Sequence, residues 1–137
     1  MKFLDHPVIP LLGRLLIVYI FATSGLGKVL SWQGNIEYMS TRHLPMIPVL
    51  LAIAAVIEIA GSISLITGFQ ARPAAFIMFL YTIALTVIYH NYWAVSESMA
   101  GMMETHFRKN IAIAGGLLML AYCGPGPWAL GQQKENR

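Results

Sequence analysis

The sequence predicts an all-α membrane protein, a four-transmembrane-helix up-down-up-down bundle with a candidate short interfacial helix in its first long loop. Three observations predict it. Of 137 residues, 57% are hydrophobic and only 11% charged, where a soluble domain carries roughly a quarter charged residues. Mean hydropathy is +0.63, so most apolar faces have to meet lipid. Four segments approach the roughly 20 helical residues needed to cross about 30 Å of hydrocarbon. Backbone groups inside a bilayer must be satisfied within their own segment, which favours helices over strands.

The first span is expected over about 8–28, ending at Lys28. Its apolar run is too long for the h-region of a signal peptide, and no convincing small-x-small cleavage site precedes Lys28, so it reads as a retained helix. The second is expected over 48–68, with Pro48 suited to a first helical turn and Gly68 to a C-terminal cap. Phe69 to Arg72 is a tight turn, which makes the third span, 73–90, an antiparallel neighbour of the second. The fourth, 107–123, stops at "GPGPW", and 124–137 reads as a short polar tail of a single 1–137 domain.

Two long loops, Ser31 to Met46 and Asn91 to His106, are expected on one side of the membrane. Trp32, Tyr38, Tyr92 and Trp93 suit the headgroup level there. "WQGNIEYMS" is the candidate interfacial helix. Lys and Arg are evenly divided between the two sides, and Arg14 tips the count toward cytoplasmic N- and C-termini. Small residues four apart, Ala60 with Ser64 and Ala112 with Gly116, predict close helix contacts.

Charge and motif content narrow the function. The net charge of +3 rests on nine Lys and Arg spread along the chain, with no clustered patch for nucleic acid. The single cysteine, Cys123, excludes an intrachain disulfide or a cysteine-built metal cluster within one chain. "GLGK" is too short for a phosphate loop. His43, His90, His106 and Glu104 lack the spacing that puts two ligands on one helical face, so no metal site is expected.

Charges inside the spans are the residues that need explaining, because they are costly there and usually face the bundle interior. Taking helix ends as a common plane, Arg14 lies about 9 Å and Glu58 about 15 Å from the same face. The difference of about 6 Å is within an arginine's reach, so an Arg14–Glu58 ion pair is geometrically allowed. Three readings of this buried polar centre stand open: a lock on helix register, a site handling a proton, quinone or headgroup, or a protonated Glu58 bonded to Ser24, Thr82 or Thr86. A second cluster is expected where the long loops meet the bundle. Lys28, His90, Asn91, His106, Lys109 and Asn110 lie at similar depth, with donors suited to an anionic or carbonyl-bearing ligand.

Three stretches in order resemble the DoxX family of small bacterial membrane proteins. They are "GRLLIVYIFATSGLGKVLSW", "EIAGSISLITGFQARPAAFI" and "HFRKNIAIAGGLLMLAYCGPGPWAL". The resemblance implies a four-helix bundle in the bacterial inner membrane and draws attention to Arg14, Lys28, Glu58, Lys109 and Asn110. It also implies a subunit of a quinone-linked oxidoreductase or of an assembly defending against oxidative stress. After "GPG" the family often has Ser-hydrophobic-Asp, whereas this chain reads "PWALGQ", so a role resting on that acid does not transfer.

The leading expectation is therefore a subunit that binds a quinone or similar amphiphile in a membrane redox system. Electrons would come from a partner or bound cofactor, since no redox centre is visible in the sequence. The expected partners are the lipid bilayer, a soluble or membrane redox protein, and a second copy of the chain. The rival expectations are a proton-coupled transporter or efflux component, and a non-catalytic subunit of a larger membrane complex.

Overall fold

The computed structural model of the chain describes residues 2–130. The last seven positions of the expected polar tail, 131–137, lie outside the described residues. Five α-helices run in the order α1 (Val8–Leu30), α2 (Trp32–Ser40), α3 (Ile47–Thr67), α4 (Ala71–Tyr89) and α5 (Glu97–Cys123), with one 3-10 turn at Tyr92–Ala94. Among the described residues, three segments are long and apolar enough to cross a membrane: Val8–Leu30, Ile47–Thr67 and Ala71–Ala94.

Local chemistry explains most of the boundaries. Pro48 sits in the first turn of α3, where its missing N–H costs nothing. Gly68 ends α3 in the left-handed region at φ 78°, and its N–H donates to Ser64 O at 2.9 Å. The α3–α4 turn is shorter than expected, because α4 begins at Ala71 and holds Pro73 within its first turn. The candidate interfacial segment "WQGNIEYMS" is helical throughout as α2. Met39 on α2 joins Leu51 and Tyr89 in a small core, with the Tyr38 and Tyr89 rings stacked at 5.7 Å.

α5 departs from the sequence reading. The expected loop over Asn91 to His106 is mostly helix, so α5 starts ten residues before Phe107. Ser96 in extended conformation leads into Glu97 in the first turn, where a negative charge suits the helix dipole. The Met- and Ala-rich run that follows has high helix propensity, and Glu104 pairs with Arg108 one turn later at 2.6 Å. Its 27 residues span about 40 Å, longer than the hydrocarbon layer. Yet α5 does not qualify as an apolar span, because His106, Arg108, Lys109 and Asn110 interrupt it.

The long helices surround one core of Val18, Phe21, Leu65, Ala71, Ala75, Met78 and Leu117. α1 packs on α3, α3 on α4, and α4 on α5. The close approaches are made by other small residues than those expected. A Cβ at Gly25 would meet Ile59 Cγ1 at 2.9 Å and Glu58 Cβ at 3.1 Å, so α1 and α3 touch almost backbone to backbone there. Gly61 does the same for the Met78 side chain of α4. Of the expected pairs, Gly116 approaches Ile17 of α1, while Ala112 is exposed. Ala60 and Ser64 instead line an apolar groove of about 420 Å³ on the outer face of α3 and α4.

The polarity is inverted relative to a soluble domain. Arg14, Glu58, Ser62, Thr82 and Thr86 are buried, while Leu16, Tyr19, Val56, Ile63, Ile77 and Met119 face outward. That arrangement is stable only if the surroundings of the helices are as apolar as their core.

Candidate functional site

Glu58 lies one residue from the middle of α3, in a run whose other side chains are aliphatic or small. Its partner is Lys28, not Arg14. Lys28, in the last turn of α1, donates to both Glu58 carboxylate oxygens at 2.9 and 2.8 Å and to Ser24 Oγ at 2.7 Å. The Tyr81 hydroxyl of α4 donates to Glu58 Oε1 at 2.6 Å. Side-chain exposure is 3% for Glu58 and 16% for Lys28, so the pair is held out of water, where charge-assisted hydrogen bonds are strong. Gly25 brings α1 near enough for this contact, since a side chain there would collide with the Glu58 stem.

The expected Arg14–Glu58 pairing is therefore corrected, and the cause is the shared plane assumed for the helix ends. Arg14 lies level with Gly68, so the first turns of α1 extend past the end of α3. From there its guanidinium donates to Leu65 O at 3.1 Å and Ile66 O at 3.4 Å in the last turn of α3, and to Trp128 O. Leu65 is seven residues from Glu58, about 10 Å along the helix. Arg14 thus serves as a cationic cap on α3, where orphan carbonyls and the dipole favour positive charge.

Beside the Lys28–Glu58 pair lies a cavity of about 210 Å³. Lys28, His90, Lys109 and Asn110 of the expected mouth cluster line it, together with Glu58, Ser24, Tyr81 and Thr82. Ile20, Phe21, Leu85 and Ile113 supply its apolar wall. His106 stands behind the lining, its ring stacked on His90 at 5.2 Å and its Nδ1 3.4 Å from Lys109 Nζ. Asn91 does not line the cavity, and its Oδ1 is buried without a partner. The hydroxyls considered for Glu58 are engaged elsewhere: Thr82 and Thr86 bond their own helix at Met78 O and Thr82 O, and Ser24 accepts from Lys28.

Tyr81 is the residue that sequence reasoning missed. In an apolar helix a tyrosine reads as bulk, and only its position relative to Glu58 reveals the hydroxyl's use. Among the described residues no three His, Cys, Asp or Glu side chains converge on a point that could hold a metal ion. The cavity can instead offer a carbonyl or anionic group several N–H donors, backed by apolar side chains.

Buried charges at the meeting of outwardly apolar helices define a helical membrane protein with an internal polar site. Residues 9–91, well over half of the chain, match the DoxX family, and the chain belongs to it. It is 38% identical over 126 residues to inner membrane protein YphA of Escherichia coli (strain K12), covering 91% of this chain and 89% of that protein. It is 30% identical over 122 residues to inner membrane protein YqjF of the same organism, covering 88% and 87% respectively. No solved structure matches the chain.

Proposed function

We propose that this chain is an inner-membrane, headgroup-binding subunit of a redox system. Its cavity takes the polar end of a quinone or a similar amphiphile. The observation that carries the reading is the cavity itself, where a buried Lys28–Glu58–Tyr81 network and His90, Lys109 and Asn110 surround one space. At about 210 Å³ it is smaller than the roughly 300–1,000 Å³ of pockets that enclose a whole drug-sized ligand. It suits a ring or headgroup, with the tail lying along the apolar helix faces. A quinone bound there would supply the electron chemistry, and this chain's residues would orient its oxygens and exclude water.

The membrane arrangement that goes with this reading has α5 as a fourth crossing, in an up-down-up-down bundle with both termini cytoplasmic. Support for the inner membrane comes from YphA and YqjF, both named as inner membrane proteins, and from the three apolar spans.

The test is binding. Protein purified in mild detergent should carry quinone detectable by mass spectrometry. Glu58→Gln should lose at least about tenfold in affinity for a short-chain ubiquinone analogue while keeping its helical circular dichroism. Wild-type affinity in that variant would reject a role for the carboxylate in the site. The chain of hydrogen bonds from Tyr81 through Glu58 to Lys28 also favours a second reading, proton-coupled transport. Uptake into liposomes that depends on a pH gradient, with no quinone bound, would select it.

A further inference from the structure

A lysine ammonium offers three protons and no acceptor. Those of Lys28 meet three partners, Ser24 Oγ and the two Glu58 oxygens. The Tyr81 hydroxyl donates to Glu58, and Thr82 donates to Met78 O. The part of the cavity wall built by Lys28, Glu58 and Tyr81 is thus electrically balanced, with its lysine and tyrosine donors engaged. Lys28, the cation that the packing places against Glu58, is therefore not a free cation.

The α4–α5 part of the wall differs. Among the described residues Lys109 has no carboxylate partner, and its one polar contact is His106 Nδ1 at 3.4 Å. Its neighbour Arg108 is held by Glu104. His90 Nδ1 is buried with no hydrogen-bond partner. Asn110, one turn from His106, also lines the space. Lys109, without a carboxylate partner among the described residues, and His90, with one ring nitrogen unengaged, thus line a cavity whose other wall is neutral. Lys109 is exposed at the rim, and its charge attracts an opposite charge more strongly once a bound amphiphile displaces the solvent between it and the apolar wall.

We infer, resting on the reading of this cavity as a headgroup site, that it prefers an amphiphile whose headgroup bears an anionic oxygen. Lys109, assisted by His90 and Asn110, receives that oxygen, while the Lys28–Glu58 pair forms the neutral wall behind the ring. The class includes acidic hydroxyquinones and excludes cationic amphiphiles.

Two matched probes test this in nanodiscs of zwitterionic lipid, with empty discs as the partition control. They are 2-hydroxy-3-undecyl-1,4-naphthoquinone, ionised at neutral pH, and its uncharged 2-methyl counterpart, followed by tryptophan quenching. The ionised probe should bind at least about tenfold tighter, equivalent to about 1.4 kcal/mol. Lys109→Gln should bring the ratio close to one, while Lys109→Arg should keep the preference. Lys109 is exposed, so both variants should fold, as circular dichroism would confirm. Equal binding of the two probes by the wild type, or an undiminished ratio in Lys109→Gln, would overturn the inference and leave the headgroup site standing. Binding of neither probe above empty discs would remove the headgroup site and the inference with it.

Discussion

At the residue scale, the ion pair of Lys28 and Glu58 governs the centre of the molecule. Removing one partner of a buried pair leaves an uncompensated charge and costs about 3–5 kcal/mol, whereas replacing both by apolar residues is often close to neutral. Lys28→Met should therefore lower unfolding stability by about that amount, and the double variant Lys28→Met/Glu58→Leu should recover most of it. Reversible unfolding in mixed detergent micelles measures both, and additive losses would mean that the pair is not coupled. Tyr81→Phe removes only the hydroxyl donated to Glu58. A hydrogen bond to a charged group contributes about 1.5–3 kcal/mol, so a smaller loss is expected there, measured in the same way. Glu58 is legible in the sequence because a lone carboxylate in an aliphatic run needs a polar partner inside the bundle. Lys28 was legible as a mouth residue but not as its partner, since a lysine at a helix end reads as one that reaches for the interface.

At the element scale, the same substitution should act with opposite sign at two helical glycines. An added methyl at Gly25 collides with Ile59 and the Glu58 stem on a neighbouring helix, and overpacking of this kind costs about 1–3 kcal/mol. At Gly115 nothing lies within 4 Å, so Gly115→Ala should gain up to about 1 kcal/mol of helix propensity. Thermal unfolding of the two variants in one detergent checks the contrast. Arg14 ties elements together in another way. It joins the end of α3 to the segment after α5, and Leu130 N–H adds a bond to Thr67 O at 2.8 Å. In a background with Trp32 and Trp93 replaced by Phe, Arg14→Leu should make Trp128 more open to a soluble quencher. Unchanged quenching would show that Arg14 does not hold this segment. The early start of α5 is not legible in hydropathy, which marks only the apolar half of the helix. Residues 97–106 are good helix formers that are simply not apolar.

At the scale of the whole molecule, inverted polarity and chain topology set the frame for the site. In the proposed four-crossing bundle, Gln70 in the α3–α4 turn and Ser98 at the start of α5 lie on opposite sides of the membrane. With Cys123 replaced by serine, Gln70→Cys should resist an impermeant thiol reagent applied to intact cells, and Ser98→Cys should react. Labelling of both from outside would reject the crossing of α4 between them, and with it the up-down-up-down arrangement. What the sequence determined by itself was the helical membrane class, the family, and the bounds of α1, α3 and α4 to within two residues. Composition, helix length and capping chemistry act locally, so they can be read without neighbours. Which charges meet was decided only by tertiary structure. Pairing depends on how far one helix slides along another, and that offset is set by close contacts such as Gly25 against Ile59. A shift of two turns would have given Glu58 to a different cation. The carboxylate was visible in the sequence, but Lys28, Tyr81 and the cavity beside them came from the packing.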